Sequence, residues 1–234
     1  MTLHEEIRTI LQDAGLAAYA DDGRAEAFRL LLTLLTETNK EYNLTAITEP
    51  REIILRHFAD SLTAAKEIPA SASVVDVGCG GGFPSLPLAI ARPDIRVTAL
   101  DSTAKKLAFV EKAAAALSLG NLTTVAVRAE EYRAGREAFD VAVSRAVARM
   151  NLLTELCLPL VRVGGLFLAM KGADGPRELA EAEAAIARLG GQVKKTEAFT
   201  LLSAGERFLI TVEKTAPTPA GYPRPFGKIK KKPL

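Results

Sequence analysis

Two spacings of hydrophobic residues divide the chain near residue 70. Before that point, leucines recur three and four residues apart, as at Leu30, Leu31, Leu34 and Leu35, which is the spacing of an apolar stripe on an α-helix. Pro50 suits the first turn of a further helix, because the N–H that proline lacks has no partner there. The pattern predicts helices over residues 1–70, the last ending at about Ile68.

Beyond residue 71 the apolar runs become short and rich in β-branched residues, which is typical of buried strands. The first run covers residues 73–78, and RVTALD, NLTTVAV, FDVAVS and GLFLAM follow it. Alanine-rich segments such as 103–119 separate these runs and are predicted to be helices. The last two runs, QVKKTEAFTL and RFLITVEK, lie too close together for a helical crossover. They are therefore predicted to pair antiparallel.

This alternation predicts an α/β fold of the doubly wound, Rossmann-like kind. We expect a mostly parallel seven-stranded sheet with helices on both faces. Residues 1–70 would form a helical extension packed on the sheet domain of residues 71–216. Residues 217–234 would form a tail, which its five prolines favour as extended backbone.

Composition and charge indicate the cellular compartment and reveal one basic segment. Hydrophobic residues make up 48% of the chain and charged residues 25%, which suits a domain with a sizeable core. Two cysteines cannot form a disulfide framework, the N-terminus lacks signal-peptide features, and no apolar run reaches membrane length, so we expect a cytoplasmic protein. Net charge is only +2, but residues 222–234 carry five basic residues and no acidic ones. This tail could contact a polyanion or simply aid solubility.

The segment DVGCGGGFP, residues 76–84, is a glycine-rich turn between a predicted strand and helix. Such a turn lets a ligand approach the backbone closely. A dinucleotide fingerprint starting at Gly78 would need glycine at position 83, where Phe83 stands. The pattern D-x-G-x-G-x-G, with Gly78, Gly80 and Gly82, instead resembles the first motif of Rossmann-like class I methyltransferases. The resemblance implies that S-adenosyl-L-methionine is the cofactor.

Polar residues follow the next strands, where they would face a crevice at the strand ends. Asp101 and the adjacent Ser102 could accept hydrogen bonds from ribose hydroxyls. Ala129 and Glu130 follow the third strand, near the expected adenine position. Asp76 could orient the loop or bind the cofactor ammonium group through water.

The fourth strand ends in VSRAVAR, where enzymes of this fold place the methyl acceptor. Ser144 and Arg145 are the catalytic candidates there, although Arg145 could also be a surface residue paired with a carboxylate. The Asn/Asp-Pro-Pro-aromatic signature of exocyclic-amine enzymes is missing, and Cys157 lies in an apolar context. Guanine N7 already has an in-plane lone pair, so its methylation needs no general base and fits this sequence.

These residues, together with YNLTAI, RHFADSL and the tail beginning YPR, closely resemble the RsmG family, also known as glucose-inhibited division protein B. The resemblance implies an enzyme that methylates N7 of one guanine in the decoding-region hairpin of 16S ribosomal RNA. It implies cofactor contacts at Gly78, Phe83, Ala129, Glu130 and Arg145. Ser85 and Ile229 depart from the family pattern.

The resemblance also adds an RNA-binding set. Read without it, His57 is a partly buried histidine with a satisfied hydrogen bond, and Lys171 could be a surface lysine. The predicted substrate-binding residues are Asn43, Thr45, His57, Asp60, Ser61, Lys171 and Arg224. The partner would be 16S ribosomal RNA or the small-subunit particle, bound by a monomer without metal or membrane.

Two alternatives stay open at this stage. One is a methyltransferase acting on a small molecule or a protein, and the other is an RNA chaperone that binds the cofactor without turnover. The tail is expected to add RNA affinity, unless Tyr222 and Phe226 pack on the body of the protein.

Overall fold

The computed structural model describes residues 2–234. Its α-helices are α1 (Leu3–Asp13), α2 (Asp22–Tyr42), α3 (Pro50–Ile53), α4 (Asp60–Leu62), α5 (Ser85–Ala91), α6 (Ala104–Ala116), α7 (Met150–Cys157), α8 (Gly175–Arg188) and α9 (Phe226–Lys231). Its strands are β1 (Ser73–Val77), β2 (Arg96–Asp101), β3 (Leu122–Ala126), β4 (Phe139–Arg145), β5 (Val161–Lys171), β6 (Gly191–Thr200) and β7 (Glu206–Lys214).

The strands form one seven-stranded sheet in the order β3-β2-β1-β4-β5-β7-β6. β1 to β5 pair in parallel, whereas β7 runs antiparallel to both β5 and β6. The predicted mixed sheet and its antiparallel closing pair are thus confirmed. The strand order reverses between β1 and β4, and in open α/β sheets such a switch point opens a crevice at the carboxyl ends of the strands.

Alternate residues of the central strands face two separate cores, as the two-residue strand period requires. On β1, Val74 joins a core with α1, α2, α5 and α6, whereas Val75 and Val77 join a second core with α7 and α8. The N-terminal helices therefore share one core with the sheet, and helices cover both faces. Within residues 2–234, no helix has the length and apolar character needed to cross a membrane.

The helix that starts at Pro50 changes its winding before it reaches the sheet. A π-helical segment, Ile54–Ala59, joins α3 to α4. Its i→i+5 hydrogen bonds make each turn wider than in an α-helix. Within this stretch Arg56 pairs with Glu52, Ser61 is fully buried, and His57 reaches a cleft.

The tail is packed on the body, and its last part is helical. The expectation of extended backbone was wrong for α9, because Ile229 is fully buried among α7 and α8 and anchors a turn of helix there. Arg136 donates hydrogen bonds to the carbonyl oxygens of Thr218 and Tyr222. The buried Lys214 donates to Leu158 O at 2.7 Å and also to the Thr218 hydroxyl.

Candidate active site

A cleft of about 440 Å³ opens where the carboxyl ends of β1, β2 and β4 meet. It lies at the switch point of the sheet, where open α/β sheets bind their ligands. Its walls include most of the predicted cofactor residues, namely Gly78, Gly80, Phe83, Asp101, Ser102, Ala129, Glu130 and Arg145.

The glycine loop has three residues with positive φ, at Gly78 (+74°), Gly80 (+56°) and Gly82 (+89°), which is backbone that other residues rarely adopt. A Cβ on Gly78 would lie 2.6 Å from Val147 Cγ2, and one on Gly82 would lie 2.6 Å from Leu86 Cδ1. A Cβ on Gly80 would meet no atom within 4 Å. Gly78 and Gly82 thus serve packing, whereas Gly80 borders open space in the cleft.

Asp101 ties the second strand to this loop. Its Oδ2 accepts from the Gly80 N–H at 3.0 Å, and its Oδ1 accepts from the Thr103 N–H at 2.8 Å. A carboxylate can accept about four hydrogen bonds, so capacity remains for hydroxyl groups of a ligand. Ser102 is exposed beside it.

Glu130 sits on a short 3₁₀ turn, Ala129–Glu131, after β3. Its Oε1 is buried without a hydrogen-bond partner among residues 2–234. Buried carboxylate oxygens are normally satisfied, so this atom indicates a missing donor. The hydroxyl and amine donors of an adenosyl group fit that need, and the open space at Gly80 fits a ligand against the loop.

Asp76 does not line the cleft. It is fully buried, and its Oδ2 accepts from the Ser85 N–H at 3.0 Å and from the Ser85 hydroxyl. These bonds fit the alternative in which Asp76 orients the loop, while its Oδ1 is buried and has no partner among the described residues. Ser85, which departs from the family pattern, contacts this predicted site residue directly. Gly82 likewise lies against Leu86, behind the cleft surface.

Burial raises the pKa of Asp76 to about 7, and the Ser85 hydrogen bonds oppose that shift. A folded-state pKa above the unfolded value means that the native state binds more protons, so stability is lost as pH rises toward the folded pKa. We expect Asp76→Asn to remove this loss of about 2 kcal/mol between pH 5 and pH 7.5. Urea unfolding of both proteins at each pH measures it. His57 titrates in both proteins and cancels, so parallel pH profiles would contradict the assignment.

Ser144, a predicted catalytic residue, is also turned away from the cleft. It is fully buried, and its hydroxyl donates to Val77 O at 2.8 Å. The strand pleat puts this side chain on one face of the sheet, where its hydroxyl links β4 to the neighbouring β1. Arg145, the next residue, points to the opposite side and lines the cleft.

Arg145 joins the helical extension to the sheet. Its Nη1 donates to Arg56 O at 2.6 Å and to Asp60 Oδ2 at 3.1 Å, and its Nη2 donates to His57 Nδ1 at 3.1 Å. Its guanidinium carbon lies 5.9 Å from the Phe83 ring centroid. The Nε–H is buried and has no acceptor among the described residues. An anionic or carbonyl group of a ligand would satisfy that donor.

His57 is held on three sides. Its ring stacks on Phe83 with centroids 4.7 Å apart, and its Nε2 lies 2.8 Å from Thr45 Oγ1. Because Nδ1 accepts from Arg145, the proton is on Nε2 and is donated to Thr45. Burial, followed by the Arg145 charge, lowers the pKa of His57 to about 4. The imidazole is therefore neutral at physiological pH, and its lone pair is engaged.

A second cleft adjoins the first. The two share four lining residues, which are His57, Arg145, Ala146 and Val147. The second cleft is further lined by Arg56, Asp60, Lys171 and Arg207. Lys171 pairs with Glu178 at 2.8 Å and donates to Ala148 O at 2.6 Å, and Arg207 pairs with Asp60 Oδ1 at 3.0 Å.

The remaining predicted substrate residues separate into two groups. Thr45, His57, Asp60 and Lys171 border the paired clefts. Asn43, Ser61 and Arg224 do not: Asn43 ends α2 at φ +47° and lines a neighbouring groove, and Ser61 is fully buried. The Arg224 side chain pairs with the fully buried Glu155 at 2.6 Å, so its Nε and Nη2 donors are engaged inside the protein.

Several residues that line the first cleft were not predicted as site residues, and three of them are notable. Lys106 is on α6, Val147 is an exposed apolar residue inside the VSRAVA motif, and Phe226 comes from the tail. Val147 could have been noticed from its motif. Among residues 2–234, no group of three or more His, Cys, Asp or Glu residues is placed to hold a metal ion; the expectation of a metal-free enzyme stays a prediction.

The sheet order, the glycine loop and the strand-end acceptors together define a Rossmann-like methyltransferase. A solved 16S rRNA (adenine(1408)-N(1))-methyltransferase from Catenulisporales acidiphilia shares this fold, with a TM-score of 0.54 at 16% identity over 68% of this chain and 92% of that one. A family described as rRNA small subunit methyltransferase G matches residues 24–207. The chain belongs to that family.

Two relatives are similar over nearly the whole chain. Ribosomal RNA small subunit methyltransferase G of Brevibacillus brevis is 45% identical over 98% of this chain and 98% of its own length. The protein of the same name from Lactiplantibacillus plantarum is 44% identical over 88% of each chain. The family expected from the sequence motifs is thus confirmed.

Proposed function

We propose that this enzyme transfers a methyl group from S-adenosyl-L-methionine to N7 of one guanine in 16S ribosomal RNA. The observation that carries the proposal is the junction of the two clefts at His57, Arg145 and Val147. One cleft has the loop and acceptors that suit the cofactor, and the other has cationic groups that suit an RNA base. A methyl donor and a guanine would therefore meet across these three residues.

The cofactor would be held by groups on three strand ends. Gly80 leaves room for it, Asp101 accepts from its ribose, and the unpartnered Glu130 oxygen accepts from a further donor. The Arg145 Nε–H would donate a hydrogen bond to the carboxylate of the cofactor. When bound, S-adenosyl-L-methionine supplies a methyl group on a positively charged sulfur.

The ionisation of the junction supports an acceptor that needs no deprotonation. The His57 lone pair is engaged by Arg145, and both Asp60 oxygens are ion-paired. Neither group is free to act as a general base. Guanine N7 carries an in-plane lone pair, so holding it in line with the donor suffices for transfer. The same atom and O6 are acceptors for guanidinium and ammonium donors such as those of Arg207 and Lys171.

The C-terminal helix supports an RNA substrate. Ile229 anchors α9, while Lys228, Lys230, Lys231 and Lys232 are all exposed. Such a cluster neutralises phosphates and makes binding depend on salt. We further propose that the enzyme acts as a monomer in the cytoplasm, on 16S RNA or on the small-subunit particle, with residues 1–70 and 217–234 flanking the catalytic domain of residues 71–216.

Methyl mapping tests this function. The enzyme, labelled S-adenosyl-L-methionine and 16S RNA or small subunits from cells lacking the enzyme should give one N7-methylguanine. That base is revealed by strand cleavage after mild reduction and aniline. Label on an exocyclic amine or a ribose oxygen would show that N7 is not the methylated atom. Transfer that persists after ribonuclease treatment would indicate a small-molecule or protein acceptor, and cofactor binding without transfer would indicate a chaperone.

Cys157 provides a separate check on the chemistry. The thiol is fully buried, and burial raises its pKa well above the ordinary value, so no thiolate forms to attack a base. We expect Cys157→Ala to retain kcat within about twofold, as for a residue outside the reaction. Single-turnover methylation at a temperature where both proteins are folded measures this. Complete loss of transfer with an unchanged melting temperature would require a covalent route.

A further inference from the structure

We infer that Phe226, delivered by the C-terminal tail, forms part of the cofactor site and stacks on the adenine ring. The inference rests on the proposed function, because it takes S-adenosyl-L-methionine as the occupant of the first cleft. It assigns the tail a second task beside RNA contact, that of completing the wall of the cofactor cleft.

The Phe226 ring lies in the wall of the cofactor cleft. Phe226 is half-buried and lines the same cleft as Arg128, Ala129 and Glu130, at the end of the cleft that follows β3. The Arg128 guanidinium carbon lies 5.1 Å from the centroid of the Phe226 ring. This cation–π contact fixes the ring, and Glu130, whose Oε1 is unpartnered, lines the same cleft. Ribose-binding Asp101 lies one strand away, which leaves the β3 end for the base.

The tail is fixed well enough to present this ring. The Arg224 guanidinium makes three hydrogen bonds of 2.6 to 3.1 Å to both carboxylate oxygens of the fully buried Glu155. Two residues after Phe226, Lys228 is exposed, and Ile229 is fully buried. The neighbour of Glu155 on α7, Leu156, itself lines the cofactor cleft. The ion pair therefore holds the tail to the helix that forms the cleft wall.

The adenine ring of the cofactor suits an aromatic contact. Adenine is a flat aromatic surface, and aromatic rings gain from offset or edge contacts beyond the burial of their area. A glycine loop and carboxylates bind the polar parts of the cofactor but offer no flat apolar face for the base. Phe226 supplies that face. The tail would then serve the cofactor as well as the RNA.

Calorimetric titration of the full chain with S-adenosyl-L-methionine tests the role of the ring. Phe226→Leu keeps an apolar side chain in α9 but removes the aromatic face, and we expect it to raise the Kd about three- to tenfold. Phe226→Tyr should restore the wild-type Kd, since the ring is retained. Lys230→Gln, on the same short helix, should leave the cofactor Kd unchanged while weakening RNA binding at low salt.

A wild-type cofactor Kd in Phe226→Leu would overturn the inference, and so would a loss confined to RNA affinity, which would place an RNA base on the ring. Asp101→Ala separates this failure from failure of the proposed site. If Asp101→Ala loses cofactor and Phe226→Leu does not, the cleft is correctly assigned and the tail is not part of it. If neither variant changes the Kd, the cofactor lies elsewhere and both assignments fall.

Discussion

Replacing Gly80 by valine is expected to abolish binding of S-adenosyl-L-methionine. Gly80 has φ +56°, and the space where its Cβ would lie is open within 4 Å. A branched side chain would therefore enter the region where the cofactor approaches the loop. It would also strain the backbone whose N–H is bonded to Asp101 at 3.0 Å. Both effects weaken binding of the cofactor, so we expect the Kd for S-adenosyl-L-methionine to rise at least about 100-fold.

A matched control exists in the N-terminal turn. Gly15 also has positive φ, +74°, with nothing within 4 Å of its Cβ position, and it lies outside the cleft. Gly15→Val should share the backbone strain but keep cofactor affinity. Calorimetry and thermal melting on both variants separate the two effects. Undiminished cofactor affinity in Gly80→Val would remove the cofactor from this loop.

The strands and their carboxyl ends were predictable because period and topology act together. Buried β-branched runs indicated parallel strands, and parallel strands place their ends at one edge. Asp101 and Arg145 end β2 and β4, and Ala129 follows β3, so their meeting in one cleft followed from that rule. The pattern of the chain also gave the antiparallel pair of β6 and β7, whose connection is too short for a crossover.

The direction of polar side chains within central strands was not predictable in the same way. A strand that is buried on both faces has apolar residues at every position, so no alternation tells which side a polar residue takes. Ser144 was predicted to be catalytic and Asp76 to orient the loop or bind the cofactor through water; in the structure Ser144 bonds to Val77 O and Asp76 to Ser85. The direction of the first side chain depends on the strand register, and the partner of the second depends on where α5 begins.

Contacts between distant segments were equally hidden. Arg224 looked like an RNA residue because its charge lies in a basic tail, but its partner Glu155 is 69 positions earlier and fully buried. A carboxylate in an apolar helix must find a cation, and in hindsight Glu155 within LLTELCL was the signal. The π-helical winding that turns His57 into the cleft has no comparable signal in the sequence.

Arg145→Ala is expected to lower kcat/KM for the RNA about 10- to 100-fold, the scale of losing one or two charge-assisted contacts. The structure gives a reason beyond charge. Arg145 fixes the neutral tautomer of His57, neutralises Asp60 and spans both clefts, so its loss releases the wall where donor and acceptor meet. Arg145→Lys should lose most of these contacts as well, because an ammonium group cannot reproduce the planar fork of donors.

Arg149 is the matched control for this prediction. It lies four residues later, immediately before α7. Its side chain is half exposed and paired with the exposed Glu181, and it lines neither of the two clefts. Arg149→Ala should change kcat/KM less than about twofold, since exposed ion pairs contribute little. Removing Arg145 also leaves Asp60 with one ion-pair partner, so unfolding must be measured for each variant. With rates taken where both proteins are folded, equal and small effects from the two substitutions would mean that Arg145 only joins α4 to β4.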